Sequence, residues 1–309
     1  MRLNIWWRWL ATALVATSLA GCGGSDPEPN VVEVAQGDPQ FSILAEAVVA
    51  ADLAPALSGP GPLTVFAPTD AAFAALLTEL GVTKAQLLAD KTLLRTVLQY
   101  HVLSANVPSS AVPLGKPVTP LQGGIFKVDK VGTGLVITDG RNRQARITAA
   151  DVMASNGVIH VIDRVLLPAD KTLVATAQAL PDFSILVEAV VAADLVNTLN
   201  AAGPYTVFAP TNAAFAKLLA ELGVTKEQLL ANKPLLTQVL TYHVLPARVL
   251  KAEVPVGSAI TTVQGQTFTV DASLAITDAR GRKAAITATD VLASNGVIHV
   301  VDTVILPRP

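Results

Sequence analysis

The chain has 309 residues, and 51% of them are hydrophobic, so it is long and apolar enough to bury the cores of about two domains. Its formal charge is −2 and it has no large basic block, which excludes the strongly basic surface that is typical of nucleic-acid-binding proteins. It contains one cysteine, so no disulfide can form within the chain. Composition therefore favours a globular protein that binds no nucleic acid.

The chain begins with the features of an export signal. Arg2 and Arg8 supply positive charge, and an apolar run follows from residue 9 to residue 20. That run is shorter than the roughly 20 residues that a membrane-spanning helix needs. We therefore expect residues 1–21 to be a signal peptide rather than a transmembrane helix.

The signal closes with the sequence LAGC, which ends at Cys22. This sequence resembles the bacterial lipobox, in which the cysteine is acylated and becomes the new N-terminus. An ordinary signal peptide with a chance cysteine is the alternative. Residues 22–29 then predict a flexible tether that holds the folded part near a membrane. Gly23 follows the cysteine where the inner-membrane retention rule has aspartate, which favours the outer membrane or the cell surface.

The rest of the chain consists of two repeats. The sequence FSIL at residues 41–44 recurs at 183–186, an offset of 142 (183 − 41). The sequence NGVIHV at 156–161 recurs at 295–300, where the offset is 139 (295 − 156). Each copy is long enough to fold alone. We therefore predict two domains, here called repeat 1 (residues 30–168) and repeat 2 (residues 169–309).

The most distinctive repeated stretch, TVFAPT followed by Asp or Asn, predicts a joint between a strand and a helix. Val65 and Phe66 suit a buried strand. Pro68 has no N–H to donate, so the strand should end there. Thr69 can then cap a helix, with Asp70 near its positive end. The chemistry of this stretch is structural, and it contains no reactive group.

Helical patterns fill the first half of each repeat and strand patterns fill the second half, which predicts an α+β fold. In repeat 1 the predicted helices lie at 31–36 and 41–53, then from Asp70 to Leu80, from Thr83 and from Asp90. The predicted strands are the opening strand and the segments 112–118, 126–128, 135–138, 146–149 and 158–165.

Three motifs occur in the same order in both repeats: TVFAPT(D/N)xxF, a Tyr-His pair, and NGVIHV(I/V)D. Together they resemble the fasciclin-like domain. The resemblance implies two tandem domains, each a β-sandwich or wedge with a helical layer. It also implies a non-enzymatic protein of the cell surface or matrix that adheres to protein or polysaccharide partners.

In some animal members of this family the Tyr-His region is linked to integrin binding. The resemblance therefore makes four residues candidates for contact with a partner: Tyr100, His101, Tyr242 and His243. The alternative is structural, because apolar residues flank both pairs. There a phenol and an imidazole can pack their rings and hydrogen-bond to the backbone.

A predicted hairpin tip supplies the second set of candidate binding residues, which are Arg141 and Arg143 in repeat 1 and Arg280 and Arg282 in repeat 2. Arginine pairs well with planar carboxylate or phosphate groups. Acidic polysaccharides or lipid headgroups are therefore possible ligands. A solvated turn is the alternative.

The sequence predicts no enzyme, no metal site and no cofactor. Its four histidines all lie in the repeats, and none has a His, Cys or Glu neighbour at metal-ligand spacing. It lacks a nucleophile elbow, a phosphate-binding glycine loop and a dinucleotide fingerprint. We expect His160 and His299 to be buried and hydrogen-bonded. Two other functions stay open: a carrier of a small apolar or polymeric ligand between helices and sheet, and a hydrolase whose Ser, His and Asp meet in the fold.

Overall fold

The structure is a computed structural model that describes residues 28–309. The predicted signal peptide, Cys22 and most of the tether lie outside the described residues. Both repeats have the same succession of elements, with helices before and after an opening strand and then a series of strands. The predicted α+β fold in two tandem copies is confirmed.

The described helices recur in the same order in both repeats. In repeat 1 they are α1 (Val31–Gly37), α2 (Ser42–Ala50), α3 (Ala54–Leu57), α4 (Asp70–Leu80), α5 (Lys84–Ala89) and α6 (Lys91–Tyr100). In repeat 2 they are α7 (Leu173–Gln178), α8 (Ser184–Ala192), α9 (Val196–Asn200), α10 (Asn212–Leu222), α11 (Lys226–Ala231) and α12 (Lys233–Tyr242).

The described strands also correspond between the repeats. In repeat 1 they are β1 (Leu63–Pro68), β2 (Val102–Leu103), β3 (Pro117–Val118), β4 (Phe126–Val131), β5 (Gly134–Thr138), β6 (Gln144–Ala154) and β7 (Gly157–Ile162). In repeat 2 they are β8 (Tyr205–Pro210), β9 (Val244–Leu245), β10 (Ala259–Thr261), β11 (Thr267–Val270), β12 (Ala275–Thr277), β13 (Lys283–Ala293) and β14 (Gly296–Val301).

Local sequence signals set the helix ends as predicted. The Thr69 hydroxyl accepts the N–H of Ala72 at the start of α4, and Gly81 ends this helix in the left-handed region with φ 66°. Thr83 and Gln86 form a capping box at the start of α5. These contacts satisfy backbone groups that a helix end leaves without partners.

Several predicted elements are wrong in extent. The strand predicted over 146–149 runs from Gln144 to Ala154, and the strand predicted over 158–165 ends at Ile162. The predicted helix over 41–53 stops at Ala50, and Asp52 lies in the left-handed region with φ 56°. The predicted strand over 112–118 shrinks to Pro117–Val118, preceded by a short 3-10 helix at Ser109–Ala111. Pro113, which cannot donate the N–H that a strand ladder needs, and the turn in which Lys116 N–H donates to Pro113 O explain the loss.

The strand order places the opening strand of each repeat next to the last strand. In repeat 1 the order is β2-β1-β7-β6-β5-β4-β3, and in repeat 2 the equivalent strands follow the same order. The opening strand β1 pairs in parallel with β7, the last strand of the repeat, from Leu63 opposite Gly157 to Pro68 opposite Ile162. Each repeat is therefore closed by pairing its earliest strand with its latest one.

Strand β6 gives the sheet of repeat 1 its wedge shape. Its first residues, Gln144 to Arg146, pair with β5, and the rest of the strand, from Ile147 to Ala154, pairs with β7. The pairing of β6 with β7 shifts register between Ile147 and Ala149 and again between Ala149 and Val152, and such β-bulges bend a strand and increase its twist. Strand β13 has the same shifts in repeat 2.

The opening strand lies between two cores in each repeat. Val65 packs with the helices in one apolar cluster, while Phe66 packs inside the wedge in another. Successive side chains of a strand point to opposite faces, so neighbours in sequence serve different cores. Phe66 meets Phe126 edge to face at 5.2 Å inside the wedge. The repeated stretch around Val65 thus contributes side chains to both cores of the domain.

Candidate functional site

The Tyr-His pairs lie inside the domains. Tyr100 and Tyr242 are fully buried, and His101 and His243 are each 2% exposed. The Tyr100 hydroxyl donates to the carbonyl of Ile125, and the Tyr242 hydroxyl donates to Thr267 O at 2.8 Å. Partner contact through these residues stays a prediction, and their burial weighs against it because the rings present almost no surface to another molecule.

Both imidazoles of the Tyr-His pairs use their two nitrogens within the fold. His101 Nδ1 donates to Val97 O at 2.7 Å, and its Nε2 accepts the N–H of Leu166 at 2.9 Å. His243 has the same bonds, with Val239 O at 2.7 Å and Ile305 N at 3.1 Å. Burial lowers the pKa of each histidine to about 4, so both are neutral at physiological pH.

The other histidines are also engaged, as the sequence predicts. His160 is fully buried, donates from Nε2 to Val107 O at 2.9 Å and accepts the N–H of Asp151 at Nδ1. His299 is 1% exposed and has the same contacts with Val249 O and Asp290 N. Thus every histidine in the part of the chain that the structure describes has both nitrogens bonded to backbone groups.

The arginines at the hairpin tip are structural rather than freely solvated. The Arg143 side chain is 13% exposed and ion-pairs with the buried carboxylate of Asp139 and with Glu79 on α4. Arg282 ion-pairs with Glu221 and donates to Val304 O. The turn around Arg143 therefore connects the sheet to a helix, while Arg141 and Asn142 in the same turn stay exposed.

The other two tip arginines also have partners. Arg141 pairs with Asp170 at 2.9 Å and keeps 33% of its side chain exposed. Arg280 donates from Nε to Pro307 O at 2.7 Å. Partner binding by the arginines stays a prediction, and Arg141 has the greater freedom to meet a ligand because its ion pair is partly solvated.

Two polar residues have roles that the sequence analysis missed. Asp70 accepts the backbone N–H of Ile43 at 2.8 Å and the Ser42 hydroxyl, so it holds the start of α2 rather than its own helix. Asn212 accepts the N–H of Ile185 in the same way. The exchange of Asp for Asn preserves the acceptor, which explains why the repeats can differ here.

The asparagine of the NGVIHV motif reaches well beyond its turn. Asn156 Oδ1 accepts the N–H of Val31 at the start of α1, and its Nδ2 donates to Leu57 O and Gly59 O. Asn295 makes equivalent contacts in repeat 2. The recurrence of Asn156 as Asn295 indicated in the sequence that this asparagine has a structural role. Its hydrogen-bond partners are distant in sequence and become visible only in the fold.

Two further features bear on function. Across residues 28–309, no group of three or more His, Cys, Asp or Glu side chains is arranged to hold a metal ion. Within that same range no helix is long and apolar enough to cross a membrane.

A fasciclin domain model matches the chain twice, over residues 39–168 and 181–307. The chain belongs to the fasciclin family. Each match coincides with one repeat, so the two repeats are two fasciclin domains.

Similar proteins come from animals and bacteria. Pig transforming growth factor-beta-induced protein ig-h3 is 31% identical over 82% of this chain, and human periostin is 28% identical over 91% of it. The chain spans about a third of the length of these relatives, 36% and 32% respectively. The Synechocystis protein sll1483 is 44% identical over 48% of this chain and 79% of its own length.

Among solved structures, a fasciclin domain pair from the insect cell adhesion molecule fasciclin I aligns with 89% of this chain and 95% of its own. Its TM-score is 0.44 and its sequence identity is 19%.

The two fasciclin domains meet through a polar and apolar junction. Asn142 of repeat 1 donates from Nδ2 to Leu292 O at 3.0 Å and accepts the N–H of Leu292 at 2.6 Å. Lys127 donates to the Asp290 carboxylate at 2.8 Å, and Ile125 packs in an apolar cluster with Leu292. These three residues, Ile125, Lys127 and Asn142, are here called the hairpin face of repeat 1. The hairpin face covers the end of strand β13 of repeat 2.

The charges at this junction support each other. Burial alone would lower the pKa of Lys127, but hydrogen bonds and charge interactions with Asp290 and Asp129 outweigh it and raise the pKa. Asp290 is 4% exposed, so its carboxylate depends on this lysine and on the N–H of Lys251 at 2.7 Å. Removal of one partner from a half-buried charged pair costs more folding free energy than removal of one partner from an exposed pair.

Cavities in the described part of the chain differ in size and character. An apolar cavity of about 30 Å³ lies between helices and sheet in each repeat. A cleft of about 520 Å³ lies at the domain junction, where Arg141, Asp170 and Lys171 line part of it. Ligand pockets typically span about 300–1,000 Å³. The apolar cavities are therefore about tenfold too small for a drug-sized ligand.

Proposed function

We propose that this chain is a lipid-anchored, non-enzymatic adhesion protein whose two fasciclin domains bind a protein partner at the cell surface or matrix. The observation that carries the proposal is the pair of fasciclin domains with filled cores. The polar side chains of their motifs form hydrogen bonds inside each domain, so a partner protein would be bound by the outer surface.

The distribution of exposed apolar side chains supports binding through both domains. Four aliphatic positions are exposed in each repeat at equivalent places, and all eight residues are at least 36% exposed. The pairs are Val49 and Val191, Leu80 and Leu222, Leu114 and Val256, and Leu121 and Val263. Two modules with similar surfaces can raise avidity when both reach their ligands at once.

The two competing functions receive less support. A carrier of a small apolar ligand needs a cavity of a few hundred Å³ between helices and sheet, and the cavities found there measure about 30 Å³. A histidine-dependent hydrolase needs an imidazole nitrogen that faces a substrate. Each described imidazole instead has both nitrogens within hydrogen-bonding distance of backbone groups.

Anchoring through Cys22 is part of the proposal and rests on the lipobox-like sequence at residues 19–22. Acyl chains contribute about 0.8 kcal/mol per buried methylene, so two or more chains hold a protein on a membrane stably. Substitution of Cys22 by serine should move the protein from the membrane fraction to the soluble fraction. Metabolic labelling with a palmitate analogue should label the parent chain and leave the C22S variant unlabelled.

An acidic polysaccharide is a second candidate partner, because Arg141 is partly exposed beside the junction cleft. Charge reversal of Arg141 should then weaken binding to an anionic glycan. Arg280 provides the matched control, since it holds the equivalent position in repeat 2 but contacts Pro307 O. Equal binding by R141E, R280E and the parent chain would remove the glycan from consideration.

The test of the protein-binding function is capture from intact cells by immobilised residues 28–309, with detection of bound proteins by mass spectrometry. We expect a specific surface or matrix protein to be retained at moderate salt. Failure to recover any protein above an unrelated bait, at both low and moderate salt, would contradict the proposal.

A further inference from the structure

The two repeats differ in exposure at one edge, which consists of Asp151, Val152 and Met153 in repeat 1 and of Asp290, Val291 and Leu292 in repeat 2. Met153 is 65% exposed, whereas Leu292 is 2% exposed. The strands β6 and β13 that carry these residues have the same length, the same bulges and the same register with their neighbours. The contrast therefore comes from what covers the edge.

In repeat 2 the cover is the hairpin face of repeat 1. The Asn142 amide bonds to both the N–H and the C=O of Leu292, as a neighbouring strand would. Lys127 reaches the Asp290 carboxylate, and Ile125 adds apolar contact with Leu292. One amide, one ammonium group and one aliphatic side chain thus recognise one edge of a fasciclin domain.

Repeat 1 preserves the features that this cover recognises. Asp151 and Asp290 have nearly the same backbone conformation, with φ 60° and 61°, and their carboxylates accept the backbone N–H groups of Ser109 and Lys251 respectively. The second carboxylate oxygen of Asp151 accepts the Ser109 hydroxyl, which a docking lysine would have to share or displace. Met153 is opposite Val158 as Leu292 is opposite Val297, so its N–H and C=O face the same outer side. An exposed strand edge beside an exposed apolar side chain is suited to pairing.

We propose that the edge formed by Asp151, Val152 and Met153 is a docking surface for the hairpin face of a further fasciclin domain. That domain would present an asparagine amide, a lysine and an aliphatic side chain, as repeat 1 presents them to repeat 2. The inference goes beyond the proposed adhesion function and does not depend on it.

The chemistry of the chain decides which domain can occupy the edge. Repeat 2 has Thr267, Thr269 and Gly281 at the positions of Ile125, Lys127 and Asn142. It therefore lacks the three recognition groups, and those of repeat 1 already contact repeat 2. The occupant is a fasciclin domain other than repeats 1 and 2, and the contact is head-to-tail, because the two surfaces that meet are different.

The test installs the missing groups in repeat 2. All four domain cores lie within residues 28–309, so the experiment uses that whole range with the substitutions T267I, T269K and G281N. Asparagine tolerates the left-handed backbone at position 281, where φ is 77°, and Asn142 already adopts φ 63°. Thr267 is exposed, so the new isoleucine needs no space in a core.

We expect this variant to associate head-to-tail, with a weight-average mass in sedimentation equilibrium that rises with concentration, while the parent chain stays monomeric under the same conditions. Adding M153E should abolish the association. Adding V49E should leave it intact, since Val49 is another exposed apolar residue but lies on α2. Circular dichroism establishes that each variant is folded.

A folded triple variant that stays monomeric would overturn the proposal, and so would association that survives M153E. If the triple variant does not fold, the double variant T269K/G281N provides the same test without the added apolar side chain. It should associate more weakly and with the same dependence on Met153, and a monomeric double variant would overturn the proposal equally.

Discussion

Asp139 and Arg143 form a closed pair inside the hairpin tip of repeat 1, with Oδ2 of Asp139 2.7 Å from Nη2 and 3.0 Å from Nε of Arg143. Asp139 is 1% exposed and also accepts the N–H groups of Arg141, Arg143 and Leu167. One buried carboxylate therefore holds the turn, the arginine and the end of the repeat together.

Substitution of Asp139 by asparagine should strongly destabilise repeat 1, because it leaves the Arg143 guanidinium without its buried counter-charge. Breaking a buried pair typically costs about 3–5 kcal/mol. The equivalent Asp278 accepts three backbone N–H groups, while Arg282 binds Glu221 and Val304 O. D278N should therefore cost less, about 1–2 kcal/mol. Urea unfolding of both variants tests this difference, and equal losses would contradict it.

The buried histidines should make stability depend on pH. His101 and His243 have a pKa of about 4 in the folded chain, below the ordinary value of 6.5. The unfolded chain thus binds more protons between these values, so each contribution is complete above pH 6.5 and is lost as the pH falls towards 4. From about pH 7 to about pH 5 we expect a loss of about 2 kcal/mol per histidine.

Urea unfolding at these two pH values measures the effect. The double variant H101Q/H243Q should be less stable at neutral pH and show a flatter pH dependence. Unchanged stability of the parent chain across this range would contradict the assigned burial of the imidazoles.

The acceptor that holds the start of α2 should tolerate exchange of Asp for Asn but not its removal. Asn212 already performs in repeat 2 the role of Asp70, so D70N should change the melting temperature little. D70A removes the acceptor for the N–H of Ile43 and should cost about 1 kcal/mol. Thermal unfolding compares the two variants, and equal destabilisation would show that the charge, not the acceptor, matters.

The junction between the domains should depend on the amide of Asn142. Substitution by glycine, the residue at the equivalent position 281, keeps a backbone suited to φ 63° and removes both hydrogen bonds to Leu292. We expect the amide of Leu292 to exchange roughly tenfold faster in hydrogen-exchange measurements, consistent with a loss of about 1–2 kcal/mol. Leu292 protection equal to that of the parent chain would contradict this role, and the amide of Val158 in repeat 1 serves as the internal control.

The sequence predicted those features that depend on neighbouring residues. The Thr69 cap, the Thr83 capping box and the left-handed Gly81 all follow from local backbone chemistry, and the repetition of three motifs identified the family. It did not predict the parallel pairing of β1 with β7, since that pairing joins residues about ninety positions apart. Nor could composition reveal that Asp70 caps a neighbouring helix.

The residues that form the junction were not predicted, for a different reason. The motifs that identify the domains are the residues that both repeats share, whereas Ile125, Lys127 and Asn142 are residues that repeat 2 does not share. The only indication of the junction in the sequence was that the two repeats differ at these three positions. The sequence could not show its meaning, because the cover and the covered edge lie about 150 residues apart and meet only after both domains fold.

The central claim, adhesion by an anchored pair of fasciclin domains, is tested most directly by measuring how strongly live cells that express the full chain attach to one another and to matrix. Cells with the parent protein should attach more than cells without it. Cells with C22S, which we expect to release a folded protein, should lose this gain, and added residues 28–309 should compete with the parent. Equal attachment with and without the protein, or with and without Cys22, would contradict the account.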